Sequence, residues 1–441
     1  MRSIPYRPLV GCSLFLCAAA ALADNWPNWR GPLLDGVAAG AGYASSWSPA
    51  EHVLWRTKLP GLGASTPAVW GDRVVVTLAV DGKDAALCYD RDGKEQWRRE
   101  LGAEKPGKHK KATGSNPSPL TDGRRVWVYY KSGELSCLEL ASGEVVWKTN
   151  LQERFGADTL WWDLGTSPVL GKQAVIVAVM QTGPSYLAAF DRETGTLLWK
   201  HDRDLMAPEE AAQSYTTPLV AAGDPAKGEP AEVIFVLGAD HVTAHDAADG
   251  RELWRVGGFN PEGNRLFRSI ASPVLAGEFL VAPYARGKTL TGIRRGGKGD
   301  VTATHVAWTR TDLGTDVPTP AVRGDSVLVC TDDGRLECLE AATGRTTWRG
   351  ELPKNRNAYS ASPVVVDGRI IVTREDGHSS VLAWPATGKA ALPEIVGEGT
   401  VDEMTVATPV CVDGRMFLRT HDSLWCIGTK QASAPGRKNK E

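Results

Sequence analysis

The chain has 441 residues, 42% of them hydrophobic and 23% charged, an ordinary globular balance with length for one large domain or up to three smaller ones. Lys and Arg number 50 against 52 Asp and Glu, so no basic excess exists to drive non-specific nucleic-acid binding. Gly (47) and Trp (16) are both abundant, and both recur at fixed intervals.

The chain opens as a secretory signal over residues 1–23. Arg2 and Arg7 form a basic start, Leu9 to Leu22 an apolar run, and Ala21-Leu22-Ala23 a small-residue cleavage site. Leu9-Val10-Gly11-Cys12 superficially resembles a lipobox, but most of the apolar stretch follows the cysteine. An export signal implies a periplasmic or cell-envelope location. No later run reaches the roughly 18 apolar residues of a membrane span. Residues 24–50 form an arm carrying Trp26-Pro27-Asn28-Trp29-Arg30-Gly31-Pro32. It has three conceivable places: in the fold's centre, on its edge or against a partner. Residues 429–441 read as a disordered polar tail.

Between them, residues 51–428 repeat one unit. It opens with Ser/Thr-Pro, continues through two apolar runs separated by turns, and closes on Gly and then Trp. The opening prolines are Pro67, Pro119, Pro168, Pro218, Pro273, Pro320, Pro363 and Pro409. These are eight copies of about 49 residues, a period of propeller-type arrays. The sixth copy decodes into four strands: Thr319 to Val322, Ser326 to Cys330, Leu336 to Leu339, and Thr346 to Trp348. Helices should be few, because no long segment shows a 3.6-residue apolar period. Trp97, Trp147, Trp199, Trp254, Trp308 and Trp348 close the fourth strands. The eighth copy lacks a fourth strand, whereas Trp55 sits in one that no copy precedes. The expectation is an all-β, eight-bladed propeller of four-stranded antiparallel blades. Residues 52–58 complete the last blade and close the ring. Cys88, Cys137, Cys338 and Cys426 share one repeat position, which suits a small buried hydrophobe better than a disulfide.

Strand order sorts the loops onto two faces. The turns between first and second and between third and fourth strands are short Asp-Gly and Thr-Gly punctuation. The opposite face carries varied chemistry around the channel mouth. The ligand-binding candidates there are Lys110, Asn116, Trp161, Trp162, Tyr215, Arg265, Arg268, Arg286, Arg356 and Tyr359. Their cations suit carboxylate or phosphate groups and their rings suit stacking. Asp163 and Asp316 are the weak catalytic candidates, as a base or as orienting carboxylates. Gly292 to Lys298 matches most of a phosphate-binding loop. Gly299 replaces its Ser/Thr, however, and Val301 to Trp308 reads as strand instead of helix, so it is taken as an expanded turn. His241 and His245 lack the further ligands of a zinc set, and no metal site is expected.

The Asp191-Arg192-Glu193-Thr194-Gly195-Thr196-Leu197-Leu198-Trp199 unit, its counterparts at Asp246 to Trp254 and Ala341 to Trp348, and the Ser-Pro openings resemble the pyrroloquinoline quinone (PQQ)-like β-propeller repeat family. That family includes quinoprotein dehydrogenases and the outer-membrane assembly lipoprotein BamB. The resemblance implies the fold over residues 51–428, and for some members PQQ with calcium. Such dehydrogenases hold the quinone between an indole and, in many, a disulfide of adjacent cysteines. This chain has no Cys-Cys pair. The leading expectation is therefore a binding or scaffold module, more a non-enzyme than an enzyme, holding a small anionic ligand, a glycan or an envelope protein. The alternatives are a PQQ-dependent oxidoreductase and an outer-membrane assembly scaffold.

Overall fold

The computed structural model describes residues 25–385 and 393–429. The signal segment and all but the first residue of the polar tail lie outside them. Eight antiparallel sheets form the blades, each strand pairing with its sequence neighbour from the innermost to the outermost. The innermost strands are short: Ala68–Trp70, Leu120–Thr121, Val169–Leu170, Leu219–Ala222, Val274–Ala276, Ala321–Arg323, Val364–Val366 and Val410–Val412. Val53–Lys58 supplies the outermost strand of the eighth blade against Ser423–Ile427, so the two ends of the chain share one sheet. Helix is confined among the described residues to short pieces such as Leu151–Phe155 and Thr302–His305.

The Trp series has a physical reason. Trp97 of blade one stands on the outermost strand Glu95–Ala103, directly opposite Cys88 of the third strand. Cys137 faces Trp147, Cys338 faces Trp348 and Cys426 faces Trp55 in the same way. A small residue there leaves room for the indole. All six cysteines among the described residues are buried and unpaired, and burial pushes the Cys88 thiol up to about 12. Each indole then reaches the next blade. Trp55, Trp97, Trp147, Trp199 and Trp308 donate their ring N–H to backbone carbonyls of Arg91, Leu140, Arg192, Ala247 and Ala341 at 2.7–3.1 Å. The ring packs on the turn glycine of that neighbour. At Gly143, φ is +70° and a Cβ would lie 2.6 Å from Trp97, so neither backbone nor space admits a side chain. The motif is thus a seam between blades, and it explains why Gly and Trp keep one spacing.

Two of the seams among the described residues depart from it. Trp254 has no partner for its indole N–H. The fifth blade's turn has expanded, and Gly299–Asp300 instead pairs in parallel with Trp254 and Arg255 on the edge of blade four. This corrects the reading of residues 301–308 as continuous strand: Thr302–His305 is helical and the strand is Val306–Arg310. Blade seven has no Trp in its last strand, Ile395–Thr400. Trp47 of the arm packs on Gly399 of that strand, with a backbone bridge between the two residues, but its indole N–H finds no partner among the described residues.

The arm crosses the channel. Trp26 exchanges two backbone hydrogen bonds of 2.8 Å with Val69 of blade one, and the Pro27 carbonyl accepts from Thr121 of blade two. On the far side the Asp35 carbonyl accepts from Val322 of blade six, and Val37 bridges Val365 of blade seven. Between them Arg30 is fully buried. Its guanidinium donates to the carbonyls of Pro363 (2.8 Å), Pro320 (2.6 Å) and Thr319 (3.1 Å). The arm is a strap that closes the channel from the turn face and then runs outward along blade seven.

Candidate functional site

Closure from below leaves a cavity of about 460 Å³ opening on the loop face, within the range of small-ligand sites. Its wall contains Trp29 of the strap. It also contains Thr66, Ser118, Ser167, Thr217, Ser272, Thr319, Ser362 and Thr408, the residues before the eight repeat prolines. Proline disfavours helix at the preceding residue and removes one backbone donor, so every inner strand is entered through an extended hydroxyl residue. These hydroxyls close a ring. The backbone N–H of Thr66 donates to Ser118 Oγ, Ser118 to Ser167, Ser167 to Thr217, and Thr217 to Ser272. Ser272 donates to Thr319, Thr319 to Ser362, Ser362 to Thr408, and Thr408 back to Thr66. The eight distances span 2.9–3.2 Å. One hydrogen bond per seam thus ties neighbouring blades around the channel.

Above the ring, the connection between blades one and two leans across the mouth. The Lys111 ammonium meets Glu375 of blade seven at 2.8 Å, and the Lys111 carbonyl accepts from His421 at 3.2 Å. Asp163 fixes the base of this connection. Its carboxylate accepts the backbone N–H of Lys108 and His109 and forms a buried ion pair with Lys131. On the other side Arg268 pairs with Asp316 at 3.1 Å and lies 3.7 Å from Glu210, which also draws Arg286 to 3.5 Å. The same Glu210 accepts the Trp162 indole N–H at 2.9 Å, and His109 meets Trp162 edge-on. Burial raises the Asp316 carboxyl above its ordinary range, against the pull of Arg268. Burial also lifts Asp332 to about 6, although it accepts the N–H groups of Asp316 and Val317.

The structure brings Asn116, Trp162, Tyr215, Arg268 and Arg286 into one cavity wall with Asp163. Tyr215 is buried, its hydroxyl on Gln213, and Asn116 spends its amide on Thr113 and Leu164. Trp161, Lys110 and Arg356 stand exposed on the face outside the cavity. Arg265 is exposed and paired with Glu209. Tyr359 is buried in the seam between blades six and seven, against Gly334. Asp316 lies behind Arg268 and does not line the wall. The sequence reading passed over the hydroxyl ring, Trp29 and Arg30. The signal for the ring was present: all eight prolines follow Ser or Thr, more uniformity than strand entry alone requires.

The two carboxylates weighed as catalytic candidates are already engaged. Both oxygens of Asp163 are occupied by Lys131 and backbone N–H groups, and Asp316 is turned to Arg268. Among the described residues no three His, Cys, Asp or Glu side chains gather to hold a metal ion.

An eight-bladed ring with Trp–Gly seams and a Ser/Thr-Pro channel defines a PQQ-like repeat propeller. The chain belongs to the family described as outer membrane protein assembly factor BamB, whose model matches residues 83–227 and 297–422. It is 24% identical over 364 residues to the BamB of Shewanella oneidensis, covering 80% of this chain and 81% of that one. The crystal structure of BamB from Moraxella catarrhalis superposes with a TM-score of 0.61 at 16% identity, covering 86% of this chain and 99% of that one. The quinohemoprotein alcohol dehydrogenase from Comamonas testosteroni shares the fold (TM-score 0.62, 13% identity, 95% of this chain and 83% of that one). No helix among the described residues is long and apolar enough to cross a membrane.

Proposed function

We propose that the protein is an exported, envelope-associated scaffold in outer-membrane protein assembly, and that it holds a protein partner on its loop face. The observation that carries this reading is a group of exposed apolar side chains on loops around blades three and four: Trp161, Trp162, Met206 and Leu266. Their loops are braced, so the side chains are presented without much loss of freedom on binding. The Trp161 N–H donates to Gln213, Trp162 is held by Glu210, and the Ala211 N–H donates to the Arg265 carbonyl. Exposed apolar groups rimmed by Glu209, Arg265 and Arg268 have the composition of a partner surface. Family membership supplies the context, since the curated relatives are named assembly factors.

The test is co-purification and site-specific crosslinking from position 161 in the envelope of the native cells. A crosslink to a component of the outer-membrane barrel-assembly machinery is expected. Trp161→Ala with Leu266→Ala should abolish it while the unfolding midpoint stays in place. Retention of the crosslink in that double variant would overturn the reading. A parallel titration with PQQ and calcium separates the oxidoreductase alternative. Stoichiometric binding that is lost in Trp162→Ala would favour that alternative.

A further inference from the structure

The strapped channel is a blind cavity with a one-sided wall. Each of the eight ring hydroxyls accepts a backbone N–H and keeps its own proton. Among the described residues, none of these hydroxyls is seen donating a hydrogen bond to the protein, while each accepts one. A donor at a buried wall needs an acceptor, and the space beside these donors is the cavity. The wall's own acceptors are spent: Asp163 and the Asn116 oxygen are both taken by backbone N–H groups.

Charge adds to this. At the level of the ring, Arg30 is fixed on the carbonyls of Thr319, Pro320 and Pro363. Burial lowers its pKa only to about 9, so it is a cation at neutral pH. Lys111, Arg268 and Arg286 line the mouth. Their counter-charges, Glu375, Asp316 and Glu210, stand behind them and do not line the wall, and neither does Asp35 near Arg30. Arg30 itself is buried beside the ring and does not line the wall, so the cations the cavity presents are Lys111, Arg268 and Arg286 at its mouth, with Asp163 neutralised by Lys131. Trp29, Trp162, Tyr215, Ile270 and Val317 add an apolar part to the wall, which suits the body of an organic ligand.

We propose that this cavity is a binding site for a small organic carboxylate, with its charge near the hydroxyl ring and the mouth cations and its apolar body against the aromatic wall. The site adjoins the partner surface, sharing Trp162 and Arg268 with it, whereas Trp161, Met206 and Leu266 lie outside the cavity. It would make the arm part of a ligand site as well as a strap.

The experiment is calorimetric titration of the intact protein with benzoate and with its neutral isostere benzamide. Benzoate should bind one to one, and benzamide at least tenfold more weakly. Arg286→Gln and Lys111→Gln should each weaken benzoate at least threefold in protein that still unfolds cooperatively; each also loses an ion pair, to Glu210 and to Glu375, and a modest fall in unfolding midpoint is expected with it. Arg30→Met should weaken it further if it folds, but the two mouth variants carry the test without it. Equal binding of benzoate and benzamide, unchanged affinity in both mouth variants, or no benzoate binding at millimolar concentration would each overturn the proposal.

Discussion

The two faces of the ring solve different problems. On the turn face, Trp, Gly and a carbonyl repeat at seam after seam, and the arm is pinned across the centre through backbone hydrogen bonds to four blades. Loop-face side chains brace one another through single carboxylates, Asp163, Glu210 and Glu375, each unlike the next. The first arrangement holds the fold and repeats with few departures. The second holds a surface whose tips, at Trp161 and Met206, touch little. A propeller can therefore vary one face freely because the other fixes the seams.

That contrast can be broken most forcibly at a seam. Trp147→Ala removes a nearly buried indole and its hydrogen bond to Arg192. It should cost about 3–5 kcal/mol of stability in denaturant unfolding. Gly143→Val should be comparably severe because it adds backbone strain to a clash with Trp97. Next is the strap. Arg30→Met deletes charged hydrogen bonds to three carbonyls but relieves a buried cation, and a net loss of about 2 kcal/mol is expected.

Beneath the loop face the sign reverses. Burial, reinforced by Glu104 and Glu134, lifts the Asp84 carboxyl to about 7, against a hydrogen bond from Ser132. The folded state then holds a proton that the unfolded chain releases near pH 4. Stability from this group falls as pH rises from about 4 to about 7 and levels off above. Asp84→Asn should raise the unfolding midpoint at about pH 8, by roughly 2 kcal/mol, and leave it unchanged at about pH 4. The smallest effect belongs to Trp161→Ala, expected within about 0.5 kcal/mol of the parent in stability while partner binding is lost. A large destabilisation there would mean that the two faces share the work of folding.

The fold was legible because its cause is local and repeated. Ser/Thr-Pro, Asp-Gly, Thr-Gly and Trp each mark a turn, a strand entry or a seam, and eight copies average out the ambiguity of any one. The expanded turn at Gly292 to Gly299 was legible, but residues 301–308 were misread as strand throughout because Thr302–His305, with two threonines, carries no local sign of the single helical turn it forms. Candidate site residues were legible only as members of a face. Arg268 and Arg286 share a cavity with Trp162, but Tyr359 turned inward and Arg356 outward. Loop length and residue type do not say which way a side chain points.

By itself, the sequence determined the number of blades, the closing strand at Trp55 and the division into a uniform and a varied face, since spacing and turn chemistry act over a few residues. The tertiary structure alone decided that the arm straps the channel, that Trp47 packs on the last strand of blade seven, and that eight hydroxyls meet in one ring. Those outcomes join residues about 40 to 350 positions apart. They depend on closure of the ring, which brings together backbone groups that no local pattern links.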